Sequence, residues 1–242
     1  FDSLDSTNRY AKVLASEHPE KPSLVVATYQ SGGRGRLGRS FFSPKGGLYL
    51  SVLLPKAFNL ESAQLITSAA SVAALQAIEQ VGGMRCQIKW VNDLYLEGRK
   101  VCGILTEGVL GVESGRLSAV VVGIGINFCI PQAAFPLELQ GTATSLFDGP
   151  SSVPASFDAN LLVASLVKNL HALVSKLPDR SFLSVYRERS LLLGRKVTVH
   201  QDRQTFSATA VSIDDEAHLV VQDDQGRQSV LSSAEISIRL EV

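Results

Sequence analysis

The sequence predicts an α+β protein in two parts: a mixed β-sheet packed with helices over residues 1–193, and a small β-barrel over residues 194–242. Three observations carry this. Apolar runs of strand length (24–29, 48–54 and 116–127) are interspersed with longer segments (60–81 and 156–177) whose apolar residues recur near a period of 3.6. Gly194 closes the last helical stretch. Beyond it come five short runs, several alternating, separated by turns such as Asp214-Asp215 and Asp223-Asp224-Gln225-Gly226. That spacing is the pattern of a small barrel.

In chain order, Ser6-Thr7-Asn8 supplies capping residues ahead of an amphipathic helix over 9–15. Ser6 and Thr7 read first as an N-cap and second as polar groups facing a ligand at a helix N-terminus. His18-Pro19-Glu20-Lys21-Pro22 breaks the helix, and strand 24–29 leads into residues 31–47. After strand 48–54, Asn59 is placed to cap a helix over 60–81, with Leu65, Ile66, Ala69, Val72, Ala73 and Ile78 mostly on one face and Gly82-Gly83 ending it. Residues 86–96 read as a strand with a polar corner at Asn92-Asp93, turning at Glu97-Gly98 into a hairpin partner over 100–107. Gly115 turns the chain into the near-continuous apolar run 116–127. Its two glycines suggest a central strand with something close against its backbone. Residues 131–154 are proline-spotted and irregular. A helix over 156–177 carries Leu162, Leu166, Leu170, Leu173 and Leu177 roughly on one face; Pro178 stops it, and 181–193 is a last short helix. No internal repeat is visible.

Residues 31–47 are the most unusual stretch. Six of the seventeen are glycine, four are cationic (Arg34, Arg36, Arg39, Lys45), and none is acidic. Glycine gives up side-chain packing and costs backbone entropy, but it lets N–H groups approach a ligand. Arginine adds a planar fork matched to phosphate or carboxylate oxygens. A flexible Gly/Arg linker would show the same composition, but a linker does not need a strand at each end. The stretch therefore reads as an anion-binding loop. Lys89, inside an apolar strand beside Trp90, reads on pattern alone as solvent-facing. Asn127 is either a turn residue or a ligand contact.

Several functions are excluded or disfavoured. The loop lacks the G-x-x-x-x-G-K-[ST] pattern, and it leads into a strand, not a helix, so neither phosphate-loop nor dinucleotide signatures apply. No Ser/His/Asp or Cys/His arrangement is visible, which leaves positioning and charge neutralisation by Arg and Lys. Formal net charge is zero, so no global field draws the chain to nucleic acid or membrane. Three cysteines without a C-x-x-C pair, and four scattered histidines, argue against a disulfide framework or a metal site. The longest apolar stretch, 119–126, is too short to span a bilayer, and the first residues lack the features of a signal peptide. A cytoplasmic location is expected. A first residue other than Met suggests a partial sequence.

Taken together, Asp5-Ser6-Thr7-Asn8, Gln30 to Arg39, Ser43 to Ser51, Lys89-Trp90-Val91-Asn92-Asp93-Leu94-Tyr95, Lys100 to Leu105 and Gly123-Ile124-Gly125-Ile126-Asn127 resemble, in order and spacing, the biotin protein ligase family. The resemblance covers nearly the whole chain. It implies a class II synthetase-like catalytic domain with an SH3-like C-terminal module. It also implies a two-step reaction: biotin and ATP form biotinyl-5′-adenylate and pyrophosphate with Mg²⁺, and a lysine of a biotin carboxyl carrier protein domain, part of a biotin-dependent carboxylase, takes the acyl group. By motif position, Ser6, Thr7, Gln30, Gly33 and Gly103 are expected on biotin. Arg34, Gly35 and Arg36 would close over biotin and the adenylate phosphate, with Arg39 and Phe41 toward the nucleotide. Lys89 and Arg36 are the expected catalytic residues, with Lys89 where negative charge develops. Asn127 and Arg239 would reach the nucleotide, and no metal ligand is assigned.

Two departures stand out. Phe41 occupies a place where the family often has Trp, offering less stacking area and no indole N–H. Val91 stands where Lys-Trp-Pro-Asn-Asp is usual. The resemblance further implies a ligase without a DNA-binding domain, acting as a monomer or homodimer, with no nucleic-acid or membrane partner. The alternatives are a lipoate ligase or octanoyl transferase of the same architecture, or a non-catalytic biotin- or nucleotide-binding regulator.

Overall fold

Helix α1 (Thr7–Glu17) starts where expected: Ser6 is extended and its side chain accepts from the Arg9 N–H. The chain then runs through β1 (Ser23–Ala27), β2 (Gly47–Leu54), α2 (Ser62–Gly82), β3 (Gln87–Lys89), β4 (Asp93–Leu96), β5 (Arg99–Leu110) and β6 (Leu117–Asn127). Short α3 (Leu137–Gln140), α4 (Ala159–Val174) and α5 (Leu183–Glu188) follow. Last come β7 (Lys196–Gln201), β8 (Gln204–Ile213), β9 (Leu219–Gln222), β10 (Gln228–Leu231) and β11 (Ile236–Leu240). The structure is a computed structural model that describes residues 1–55, 62–110, 117–201, 204–232 and 236–240. The expected cap Asn59 and turn Gly115 lie outside these residues. Among the described residues no helix is long and apolar enough to cross a membrane.

The first six strands form one sheet in the order β1-β2-β6-β5-β4-β3 and the last five a second sheet in the order β10-β9-β8-β7-β11. All named ladders are antiparallel. Among the described residues parallel pairing enters only as isolated bridges, such as Leu4 with Gln30 and Ile88 with Ser190. The second bridge shortens the last helix. Ile88 N–H donates to Arg189 O at 2.7 Å and Leu191 N–H to Ile88 O at 2.8 Å. Residues 189–191 thus extend the sheet edge instead of continuing α5.

Alternation along the central strands sorts side chains onto two faces. Leu50 and Val52 of β2, Cys102 and Ile104 of β5, and Val120, Val122, Ile124 and Ile126 of β6 join the main core, against α2 and α4. Ala69, Ala70, Ala73, Ala74 and Ala77 let α2 lie close between the sheet and α4, which presents Leu162, Leu166, Leu170 and Val174. Each fully buried leucine contributes roughly 1.5–3 kcal/mol. On the opposite face, Ala11 and Ala15 of α1 cover Val25, Leu53, Ala119 and Val121. That face of β6 continues into Gly123 and Gly125, where side chains are missing and α1 has already begun. The bare patch is the floor of the site.

Candidate active site

A cavity of about 180 Å³ opens over this floor. Gly103, Gly123 and Gly125 lie side by side, since Gly103 pairs with Gly125 and Leu105 with Gly123 across β5 and β6. Added methyl groups would collide: a Cβ at Gly123 would stand 2.0 Å from Asn8 Oδ1, and one at Gly125 2.5 Å from Phe41 Cε1. The Phe41 ring therefore rests on the glycine floor, edge-on to Tyr49 at 6.4 Å between centroids, with Lys100 Nζ 5.7 Å from its own centroid.

One wall is polar and uncharged. Thr7 N–H donates to Gln30 Oε1 at 2.8 Å, and Thr7 Oγ1 lies 3.0 Å from the same oxygen. Gln30 in turn donates through Nε2 to Ser43 Oγ at 3.1 Å. Ser6 and Thr7 are buried. The N-cap and the cavity wall are thus the same residues.

The roof is cationic. Residues 33–41 form a narrow ribbon: Arg34 bridges Ser40, Phe41 N–H donates to Gly33 O at 3.0 Å, and Gly35 N–H donates to Arg39 O at 2.7 Å. Leu37 and Gly38 turn its tip with φ of 56° and 72°. Arg34, Gly35, Arg36 and Arg39 all line the cavity. Burial lowers the Arg36 pKa from its ordinary value, Asp93 opposes that shift, and the like charge of Arg39 adds to it. Such a guanidinium gains from a bound anion. Gly33 stands apart from the lining; a Cβ there would meet Ser43 Oγ at 2.3 Å and Phe41 O at 2.4 Å. Its role in the structure is to let the chain at 41–43 pack directly against the first arm of the ribbon.

Lys89 enters from the far side. It is half-buried and lines the cavity, contrary to the solvent-facing reading of its strand, with Nζ 3.4 Å from Tyr95 OH. The next peptide, Trp90–Val91, is cis. The corner is held by Asn92, whose Nδ2 donates to Ile104 O at 2.7 Å and whose Oδ1 accepts from Arg36 at 3.4 Å. Asp93, behind it, pairs with Lys100 at 2.6 Å. Tyr95 is pushed up to about 12 by burial, with Asp93 adding to the effect, and stays a neutral phenol beside Lys89.

Of the residues singled out in the sequence, Ser6, Thr7, Gln30, Arg34, Gly35, Arg36, Arg39, Phe41, Lys89 and Gly103 meet at this cavity. Asn127 does not line it. It is buried two residues past Gly125, its Nδ2 donating to Thr144 O at 2.9 Å. The backbone of Arg239 pairs with Thr198 in the second sheet, and its side chain lies outside the described residues. Sequence reasoning passed over Asn8, Gly123, Asp93 and Lys100 as individual site residues. The glycine pair in run 116–127 signalled the floor, but nothing local distinguished Asn8 from a capping residue. Among the described residues no cluster of His, Cys, Asp and Glu could hold a metal, and the cavity's carboxylate, Asp93, is engaged by Lys100.

The biotin/lipoate A/B protein ligase family matches residues 1–127, and the biotin protein ligase C terminal domain matches residues 192–239. The bifunctional ligase/repressor BirA of Bacillus subtilis is 31% identical over 236 residues, covering 96% of this chain and 71% of that protein. The biotin–[acetyl-CoA-carboxylase] ligase of Paracoccus denitrificans is 31% identical over 251 residues, covering 96% of each chain. The biotin protein ligase of Aquifex aeolicus, solved in complex with biotin and ATP, superposes with a TM-score of 0.79 at 27% identity, covering 100% of this chain and 97% of that one.

Proposed function

This chain belongs to the biotin/lipoate A/B protein ligase family, among the biotin protein ligases, and we propose that it joins biotin to a lysine of a biotin carboxyl carrier protein through biotinyl-5′-adenylate. One observation supports this most: a neutral polar wall (Ser6, Thr7, Gln30), a cationic roof (Arg34, Arg36, Arg39) and Lys89 from the far side meet in one cavity over a glycine floor. A ligand with an uncharged hydrogen-bonding head and an anionic tail fits that polarity.

In the first step a biotin carboxylate oxygen attacks the α-phosphorus of ATP, forming the mixed anhydride and releasing pyrophosphate. The substrate carboxylate is itself the nucleophile, so the chemistry requires no side-chain nucleophile of the site. Lys89 and Arg36 hold the carboxylate and α-phosphate together and neutralise the charge that gathers there. In the second step an uncharged carrier lysine attacks the acyl carbon and AMP leaves. The ribbon 33–41 covers the anhydride against water. Phe41 stacks toward the nucleotide, a part that the sequence resemblance also gives to Arg239. Mg²⁺ would arrive with the ATP phosphates, since this chain offers no clustered ligand set for it among the described residues.

Incubating the chain with biotin, Mg·ATP and a carrier domain should add one biotinyl group to the carrier by mass spectrometry. No mass gain would favour a non-catalytic binder. Thermal stabilisation by lipoate but not biotin would move the chain to the lipoate branch of the family.

A further inference from the structure

Behind the neutral wall a chain of hydrogen bonds runs from a half-buried carboxylate to the cavity. Lys12 Nζ pairs with Glu107 Oε1. Glu107 Oε2 accepts from Asn8 Nδ2 at 2.8 Å, and Leu105 O lies 3.3 Å from the same nitrogen. Asn8 Oδ1 is then 2.6 Å from Ser51 Oγ, and Ser51 Oγ is 2.8 Å from Thr7 Oγ1. Asn8, Ser51 and Thr7 are 5%, 0% and 3% exposed, so no solvent competes at these three residues.

The donors and acceptors on this path are fixed from the carboxylate end. An ionised carboxylate and a backbone carbonyl can only accept, so the Asn8 amide must turn its nitrogen toward them and its oxygen toward Ser51. The single Ser51 hydrogen goes to that oxygen. The Thr7 hydrogen is left to satisfy Ser51 Oγ or Gln30 Oε1, both inside the protein. Thr7 Oγ1 consequently faces the cavity with lone pairs only. Glu107 is ionised across the neutral range: burial alone would raise its pKa, but the hydrogen bonds from Lys12 and Asn8 outweigh burial and lower it.

We infer that Glu107 is a positioning residue that makes Thr7 a hydrogen-bond acceptor and so selects a ligand head group that offers an N–H, as a cyclic urea does. The inference rests on the biotin reading and assigns Glu107, 99 residues from Asn8 in sequence, a part in choosing the acyl substrate.

Glu107→Gln provides the test because Lys12 can only donate. Lys12 will take the glutamine oxygen, which turns the glutamine NH₂ toward Asn8 and presents a donor where an acceptor stood. Asn8 is then driven to flip, Ser51 turns its hydrogen to Thr7, and Thr7 Oγ1 gives to Ser51 a lone pair that it otherwise offers the ligand. Biotin titrated calorimetrically into the full-length chain without ATP should bind about tenfold more weakly to Glu107→Gln, the effect of one hydrogen bond to a mismatched group. Adding Lys12→Met to Glu107→Gln should restore most of the affinity, because the glutamine oxygen is then free to turn to Asn8. Adding Glu107→Gln to Thr7→Val should change little, because Thr7→Val has already removed the acceptor. Wild-type affinity in Glu107→Gln, no rescue by Lys12→Met, or multiplied losses in the double variant with Thr7→Val would overturn the inference. If Glu107→Gln does not fold, Ser51→Ala cuts the same chain nearer the ligand. There a loss of about tenfold supports the inference and unchanged affinity overturns it. Failure of the wild-type chain to bind biotin at all would instead remove the functional reading on which the inference rests.

Discussion

Trp90 donates its indole N–H to the backbone carbonyl of Ala217 at 2.9 Å, fastening the corner after Lys89 to the turn between β8 and β9. Gln64 of α2 donates to the same carbonyl at 2.6 Å. Ala217 has a φ of 63°, and its turn is held by Asp214, which accepts from the His218 N–H at 2.7 Å. From the other side Tyr186 OH donates to Val91 O at 2.8 Å. The second sheet therefore supports the corner that carries Lys89, besides any contact of its own with a ligand.

Trp90→Phe removes the indole donor and the part of the buried bicyclic ring that carries it, while Gln64 keeps the Ala217 carbonyl satisfied. The expected cost is about 2–3 kcal/mol, from the lost hydrogen bond and the space left behind, read as a lower urea midpoint at unchanged slope. Biotin affinity should stay near wild type, because the neutral wall is untouched, while the rate of adenylate formation falls. A loss of biotin affinity equal to the loss of rate would place Trp90 in general packing instead.

Much of this arrangement was legible in the sequence. The two-part organisation followed from local texture: long apolar strands and helices before Gly194, short alternating runs after it. The cavity residues came from motif positions, and the glycines of β6 pointed to a close approach that Phe41 and Asn8 now explain. What was not legible depended on long-range pairing. The short α5 ends because residues 189–191 pair with Ile88, a partner about a hundred residues away that no local periodicity reveals. Glu107 was not singled out within the hairpin strand 100–107, since its meaning comes from Lys12 and Asn8 across the sheet. Lys89 was misread on pattern because strand alternation shows which face a side chain takes and not whether that face is covered.

Lys89→Met retains the length of the side chain and removes the charge. Neutralisation of a developing phosphoryl charge in a confined site is worth on the order of 10²–10³ in rate. Adenylate formation, followed by pyrophosphate release in a single turnover, should fall by about that factor, with the thermal midpoint little changed. Wild-type turnover would remove Lys89 from the reacting centre.

Arg36→Ala tests the ribbon. Its guanidinium lies over the cavity, partly desolvated and near Arg39, so it gains more from a phosphate than from a neutral head group. The dissociation rate of preformed biotinyl-5′-adenylate should rise by at least about tenfold, the scale of one charge-assisted hydrogen bond, while free biotin affinity changes much less. Equal losses for both ligands would count against the ribbon as a lid over the phosphate.

The glycine floor gives a paired test. A methyl group at Gly125 would stand 2.5 Å from Phe41 Cε1, whereas at Gly123 it would stand 2.0 Å from Asn8 Oδ1. Phe41 is a side chain at the cavity edge, while Asn8 is fixed by three polar partners. Gly125→Ala should therefore impair ATP-dependent turnover and be partly rescued by Phe41→Leu, which frees space over the floor. Gly123→Ala should lose biotin binding in either background. Rescue of Gly123→Ala by Phe41→Leu would mean that the two ends of the floor are not independent.

Acid should weaken the chain partly through Glu107. Burial on its own raises that pKa, but the Lys12 and Asn8 hydrogen bonds lower it overall, so the folded chain holds this proton less tightly than the unfolded chain does. The resulting stability is complete above the ordinary carboxylate pKa near ~4.3 and disappears as pH falls through the lower folded value. Lys12→Met removes a cause of the lowering. Its thermal midpoint should lie below wild type by a constant amount from neutral pH down to about 5, and the gap should close on further acidification. The gap should stay small, at less than about 1 kcal/mol, because the two side chains remain 34% and 22% exposed and water screens the pair. A gap that widens toward acid would show that Lys12 does not set the Glu107 titration.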